Sequence, residues 1–297
     1  MKLIWILCFR FFFAFGGRRS QVLPRSSHDP AFYQQPWSPS PLIDEQGFVK
    51  ELYKRVPGKW EDEQPLRGKH KRIMDDTHAR IRQVPGDGNC LFNAIAVSLC
   101  KVEGGRHYIL QEDDFQELRK CAQSLRKKTV DFLEDRLRTN PRLFLQGDTY
   151  IPTQELLNRF ASQYGMSIQE YCDTMRQDGV WAGGPEIVAL SNMLHRPIHL
   201  YELHVDNNQD ATSVGAKTFC LRRMCCFGSP RFDSREPLHV LSADSRFPDI
   251  QPGRQLRDGN HFLAVFPTNI QESAETFWKP KPLRGGGSLL DKSDDPT

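Results

Sequence analysis

The chain has no excess of charge of one sign where a nucleic-acid binder would need it. Its 297 residues carry a formal net charge of +3 at pH 7. Five positive charges, on Lys2, Arg10, Arg18, Arg19 and Arg25, fall in the first 25 residues, which contain no Asp or Glu. Setting those five aside leaves the remainder at −2. That is no electrostatic footprint for a phosphate backbone, and no nucleic-acid partner is expected. Also missing is any CxxC pair. The eight cysteines (Cys8, Cys90, Cys100, Cys121, Cys172, Cys220, Cys225 and Cys226) show no repeated spacing. They imply no disulfide framework, and Cys220, Cys225, Cys226 and His204 read as strand residues rather than metal ligands. Neither a metal nor a cofactor is expected. Internal repeats are absent too.

Nor is there an apolar run long enough to span a membrane at the N-terminus. Leu3 to Phe15 has the length of a signal-peptide core, and Arg10 interrupts it. The basic, serine-containing and acid-free stretch behind it has the composition of a transit peptide. Residues 1–27 therefore read as a targeting leader, secretory or organelle (plastid-type), with cytoplasmic residence as the alternative. Membrane contact would be transient, through the leader alone. Residues 28–69 follow as a Pro-rich linker and charged extension, with a short helix expected over Asp44 to Val56. Residues 269–297 are polar and Gly-rich, the composition of a disordered tail.

What is present lies between. Pro85-Gly86-Asp87-Gly88-Asn89-Cys90 is a tight, Gly-rich loop, and from Leu91 the sequence turns apolar with helical spacing through Ile95, Ser98 and Leu99. A thiol at a helix start gains from the orphan N–H groups and the macrodipole there. The same donors suit the oxyanion of a tetrahedral intermediate. Far downstream, Asp258-Gly259-Asn260 forms a turn that delivers His261 onto an apolar strand, Phe262 to Phe266. An early Cys on a helix and a late His on a strand can meet in space, as nucleophilic thiol catalysis requires. A buried, inert cysteine is the structural alternative.

These two motifs, Asp87-Gly88-Asn89-Cys90-Leu91-Phe92 and Asn260-His261-Phe262, resemble the marks of the OTU (ovarian-tumour-type) family of papain-like cysteine proteases. A third stretch between them, Trp181-Ala182-Gly183-Gly184-Pro185-Glu186-Ile187, resembles the family's Trp/Gly-rich loop and following helix. The resemblance covers roughly residues 70–268. It implies an α/β (α+β) papain-like fold with a small sheet of mostly late strands packed between helices. It also implies deubiquitinase activity: Cys90 as nucleophile, His261 as general base and acid, and the Gly88, Asn89 and Cys90 amides as oxyanion donors. Ubiquitin or polyubiquitin on protein substrates would be the partner; the oligomeric state is not legible. A non-catalytic ubiquitin-binding scaffold and a protease for another ubiquitin-like modifier are the alternatives. Family members usually orient the His with an Asp or Asn two positions later, and here that position is Leu263. Asp87 is the first choice for the orienting role, with loop shaping as its alternative; Asp258 and Asn260 are the others. Trp181, Gly183, Gly184 and Glu186 are candidates for substrate contact.

Elsewhere, a short helix is expected from Arg72 to Ile81. Asp114-x-x-Glu117 and Ser167-x-x-Glu170 read as capping boxes opening two further helices. Arg119, Lys120, Arg126, Lys127 and Lys128 read as the solvated face of the first. His199 and His204, on an alternating strand from Pro197 to Val205, read as facing outward. The tail contains Leu283-Arg284-Gly285-Gly286, a sequence such proteases accept at the ubiquitin C-terminus.

Overall fold

A computed structural model describes residues 41–56, 78–105, 107, 112–139, 142–147, 149–205, 219–232, 234–250 and 259–268. The leader, most of the linker, Asp258 and the tail with its Leu-Arg-Gly-Gly lie outside the described residues. Five helices are described. They are α1 (Cys90–Gly104), α2 (Glu112–Thr139), α3 (Thr153–Gln163), α4 (Ile168–Met175) and α5 (Gly184–Leu194). The strands are β1 (Tyr53–Val56), β2 (His78–Arg82), β3 (Arg142–Gln146), β4 (Thr149–Pro152), β5 (Ile198–Val205), β6 (Phe219–Phe227), β7 (Leu238–Ala243) and β8 (His261–Thr268). The fold is mixed α/β. Six strands close in the order β1-β2-β8-β7-β5-β6, while β3 and β4 form a separate hairpin. None of the described helices is long and apolar enough to cross a membrane.

α1 is the central element. Its residues from Cys90 to Cys100 are all buried. It packs on β7 and β8 from one side and on α2 from the other. A helix apolar on every face needs such enclosure, and α1 ends where Gly105, at φ 66°, turns the chain out. The Ser167 capping box forms as expected. The Ser167 hydroxyl accepts from the Glu170 amide at 3.2 Å, and the Glu170 carboxylate accepts from the Ser167 amide at 2.7 Å.

Four expectations are corrected. Residues 44–56 are a turn and a strand rather than a helix. The Asp44 side chain accepts from the amides of Gln46 and Phe48, and Gly47 takes φ 82°, so the local hydrogen bonds compete with a helix and win. This segment belongs to the folded unit, and the boundary near residue 70 falls too late. Phe48 is fully buried, and β1 pairs with both β2 and β6. Within the stretch expected to be helical up to Ile81, His78–Arg82 is strand β2. Ala79 and Ile81 are fully buried between the half-buried His78 and Arg80 and the buried Arg82, a period of two that holds up to Ile81. His199 faces inward. The first four residues of β5 are all buried, with β6 and β7 paired along its two edges, and the His199 ring meets Arg223 at 3.2 Å and His239 at 4.9 Å between centroids.

Candidate active site

Cys90 is the first residue of α1, and His261 is the first of β8. The fold brings them together from two directions. The Phe262 amide, next to His261, donates to the Cys90 sulfur, as does the Leu91 amide. In the loop that precedes Cys90, Gly86 lies against the His261 ring; a Cβ built there would stand 3.7 Å from its Cε1. Both side chains are almost completely enclosed. Burial pushes the thiol up to about 11, against the two amide hydrogen bonds that favour thiolate. Burial pushes His261 down to about 4, against a hydrogen bond to the Val84 backbone that favours the charged ring. At pH 7 the pair rests as neutral thiol and neutral imidazole.

Among the described residues, no side chain hydrogen-bonds the His261 ring. Asp87 keeps its carboxylate in its own loop, accepting from the Asn89 amide at 2.9 Å and from the Asn93 side chain at 3.2 Å. It therefore shapes the turn and does not hydrogen-bond His261. Asn260 turns its side chain to Ser245, accepting from the Ser245 amide at 2.7 Å. Leu263 is fully buried in the core. The Val84 backbone is the group that holds the ring.

The Trp181 segment serves the same strand. Its indole N–H donates to the Asn260 carbonyl at 3.1 Å, and its ring stacks on Phe262 at 5.5 Å, 18° from parallel. Both neighbours of His261 are thus fixed by one half-buried tryptophan. Gly183 packs beneath that ring, and its amide donates to Glu186 at 2.8 Å. Glu186 cannot touch a substrate: it is fully buried and also accepts the Tyr171 hydroxyl at 2.9 Å. Gly184, the first residue of α5, is buried as well. Of the four proposed contact residues, Trp181 and Gly183 remain partly accessible.

Sequence reasoning missed Arg126. It lies on α2, is 1% exposed, and donates to the Asn89 side chain at 2.9 Å and to the carbonyls of Gly88, Val180 and Met175. A run of neighbouring cations suggested a solvated face. The helical period carries the opposite signal: Arg126 is four residues after Ala122 and three before Thr129, both fully buried.

Gly88 is required by two independent constraints. Its φ is +79°, and a Cβ would lie 1.9 Å from the Gly179 carbonyl oxygen. Gly88→Ala is expected to force the two loops apart and to lower any Cys90-dependent turnover at least about a hundredfold, the cost of displacing reacting groups by roughly 1 Å. Steady-state kinetics on the folded variant checks this. Among the described residues, no cluster of His, Cys, Asp or Glu is arranged to hold a metal.

A family model described as OTU-like cysteine protease matches residues 85–231, from the nucleophile loop through α5 and β6. Residues 85–231 belong to an OTU-like domain. The human protein named deubiquitinase OTUD6B is 26% identical over 140 residues, covering 44% of this chain and 36% of that protein. An Arabidopsis thaliana protein named ovarian tumor domain-containing deubiquitinating enzyme 4 is 29% identical over 132 residues, covering 44% and 33%. The OTU match thus spans about a third of the length of these relatives. Among solved structures, the OTU domain of OTUD1 aligns with a TM-score of 0.34 at 22% identity, covering 67% of this chain and 90% of that one. The Hazara virus OTU bound to ubiquitin aligns at 0.35 and 20%, covering 65% and 82%.

Proposed function

We propose that this OTU protein is a thiol-dependent deubiquitinase that hydrolyses the isopeptide bond between the ubiquitin C-terminus and a lysine. One observation carries the reading: the amide beside His261 donates to the Cys90 sulfur, which puts a neutral base and a thiol into one enclosed site. His261 takes the Cys90 proton as the sulfur attacks the carbonyl of the terminal glycine. The tetrahedral oxyanion forms at the mouth of the 86–90 loop. The Asn89 amide is committed to Asp87, which leaves the Gly88 and Cys90 amides as its donors. One such donor is worth about 3–4 kcal/mol of barrier. His261 then protonates the departing lysine amine, and water, deprotonated by the same ring, releases the acyl-enzyme. Because the resting pair is neutral, the thiol becomes a strong nucleophile only as the substrate carbonyl arrives.

Ubiquitin bearing a C-terminal thiol-reactive group tests this directly. Covalent labelling of wild type at Cys90 is expected, with intact mass increased by one ubiquitin. A protein that binds ubiquitin without labelling would be a scaffold instead, and preferential labelling by another ubiquitin-like modifier would reassign the substrate.

A further inference from the structure

The nucleophile loop owes its shape to a residue outside it. We propose that Arg126 is a positioning residue for the thiol chemistry, its guanidinium locking the Gly88–Asn89 peptide against the Met175–Val180 segment so that the oxyanion donors point at the reacting carbonyl. The inference rests on the deubiquitinase reading for its substrate but not for its geometry.

A peptide unit is planar, so fixing its oxygen and its hydrogen fixes the whole plane. The Gly88–Asn89 unit is held at both ends. Arg126 Nη2 donates to the Gly88 carbonyl at 2.9 Å, and the Asn89 amide donates to Asp87 at 2.9 Å. The Asn89 side chain is held twice more, by Arg126 Nε at 2.9 Å and through its own amide to Asp178, also at 2.9 Å. With that plane and that side chain fixed, little freedom remains for the next amide, that of Cys90.

The opposite wall is held by the same group. Arg126 Nη1 donates to the Met175 carbonyl at 3.0 Å, and Nη2 also donates to the Val180 carbonyl. Between these anchors Gly88 passes Gly179 with no room for a Cβ. The guanidinium lies over the Phe92 ring at 4.6 Å, which sets its plane from the first turn of α1. Four acceptors on two chain segments need a planar fork of donors. Lysine keeps the charge but donates from a single point and cannot span them.

The test compares Arg126→Lys and Arg126→Met with Leu118→Ala, a cavity variant at a buried position about two turns away on the same helix. Three readouts are taken well below the melting temperature: kcat and KM on ubiquitin with a fluorogenic C-terminal amide, acylation of Cys90 by p-nitrophenyl acetate, and alkylation of Cys90 by iodoacetamide. Acylation passes through an oxyanion and alkylation does not. For Arg126→Lys the expected result is at least a tenfold loss in kcat and in acylation rate, KM within twofold, and alkylation within threefold. Leu118→Ala is expected to melt earlier and keep wild-type kcat. Wild-type rates in Arg126→Lys, equal losses in acylation and alkylation, or failure of both Arg126 variants to fold would each overturn the proposal. A wild-type protein inert toward the ubiquitin substrate would sink the substrate assignment alone, since ester acylation would still report on Arg126.

Discussion

Cys90→Ala is expected to leave a folded protein that cleaves no ubiquitin conjugate, with turnover reduced on the order of 10⁶-fold, the scale on which removal of a sole nucleophile acts. Cys90 is 2% exposed and loses only a sulfur in this variant, which costs about 1 kcal/mol of burial and packing. Folding should survive, with circular dichroism and ubiquitin affinity close to wild type. No other described cysteine can substitute. Cys100 and Cys172 lie in the middle of α1 and α4, and burial pushes the Cys172 thiol up to about 12. Retained cleavage in purified Cys90→Ala would remove the assignment, and Cys90→Ser should be almost as inactive because a serine hydroxyl is a far weaker acid than a thiol and gives up its proton to His261 much less readily.

His261→Ala should lower kcat on the order of 10⁴-fold, the upper range for a positioned acid–base group. The pH profile carries the sharper information. Protonating His261 removes the base, so the acidic limb of kcat/KM follows the ring. Burial holds that ring near 4, below the ordinary histidine value. Activity should therefore stay level from pH 8 down to about 5 and fall by half near 4. An NMR titration of the His261 Cε1 proton in the same range checks the assignment independently. A limb near 6.5 would mean that the ring is hydrated in the working enzyme. Because the Val84 backbone holds the ring, Asp87→Asn and Asn260→Ala should leave the limb in place, although Asp87→Asn loosens the loop and lowers the plateau.

The fold class and the meeting of Cys90 with His261 in space were legible because each rests on a local signal. Gly-rich loop then apolar helix marks Cys90, and turn then apolar strand marks His261. The Ser167 and Glu170 reciprocal bonds are local in the same sense. What could not be read depends on neighbours far away in sequence. Arg126 looks like one of several surface cations until the 86–90 and 175–180 segments supply its acceptors. His199 alternates like an exposed strand residue, but its strand is flanked on both edges and covered on both faces. The apolar spacing of Phe48, Val49, Leu52 and Val56 fits a helix equally well, and Asp44 and Gly47 decide against it. The described partner of the His261 ring was invisible for another reason: it is the Val84 backbone, and sequence carries no mark for a carbonyl.

The closure of the six strands by Tyr53–Val56 bears on where this protein can be cut. β1 joins β2 through Tyr53 and Lys54, and joins β6 in parallel through Arg55 and Val56. Without those four residues the ring would open, leaving the flank of β6, with Leu221 and Arg222, as a row of unsatisfied backbone donors and acceptors. Such a flank is a template for another chain. A minimal domain drawn at residue 70 from the three motifs would retain every group at the thiol and lose both the seam and Phe48. The N-terminal strand thus guards the molecule against its own copies, and proteolysis between β1 and β2 would be tolerated far better than removal of β1 itself.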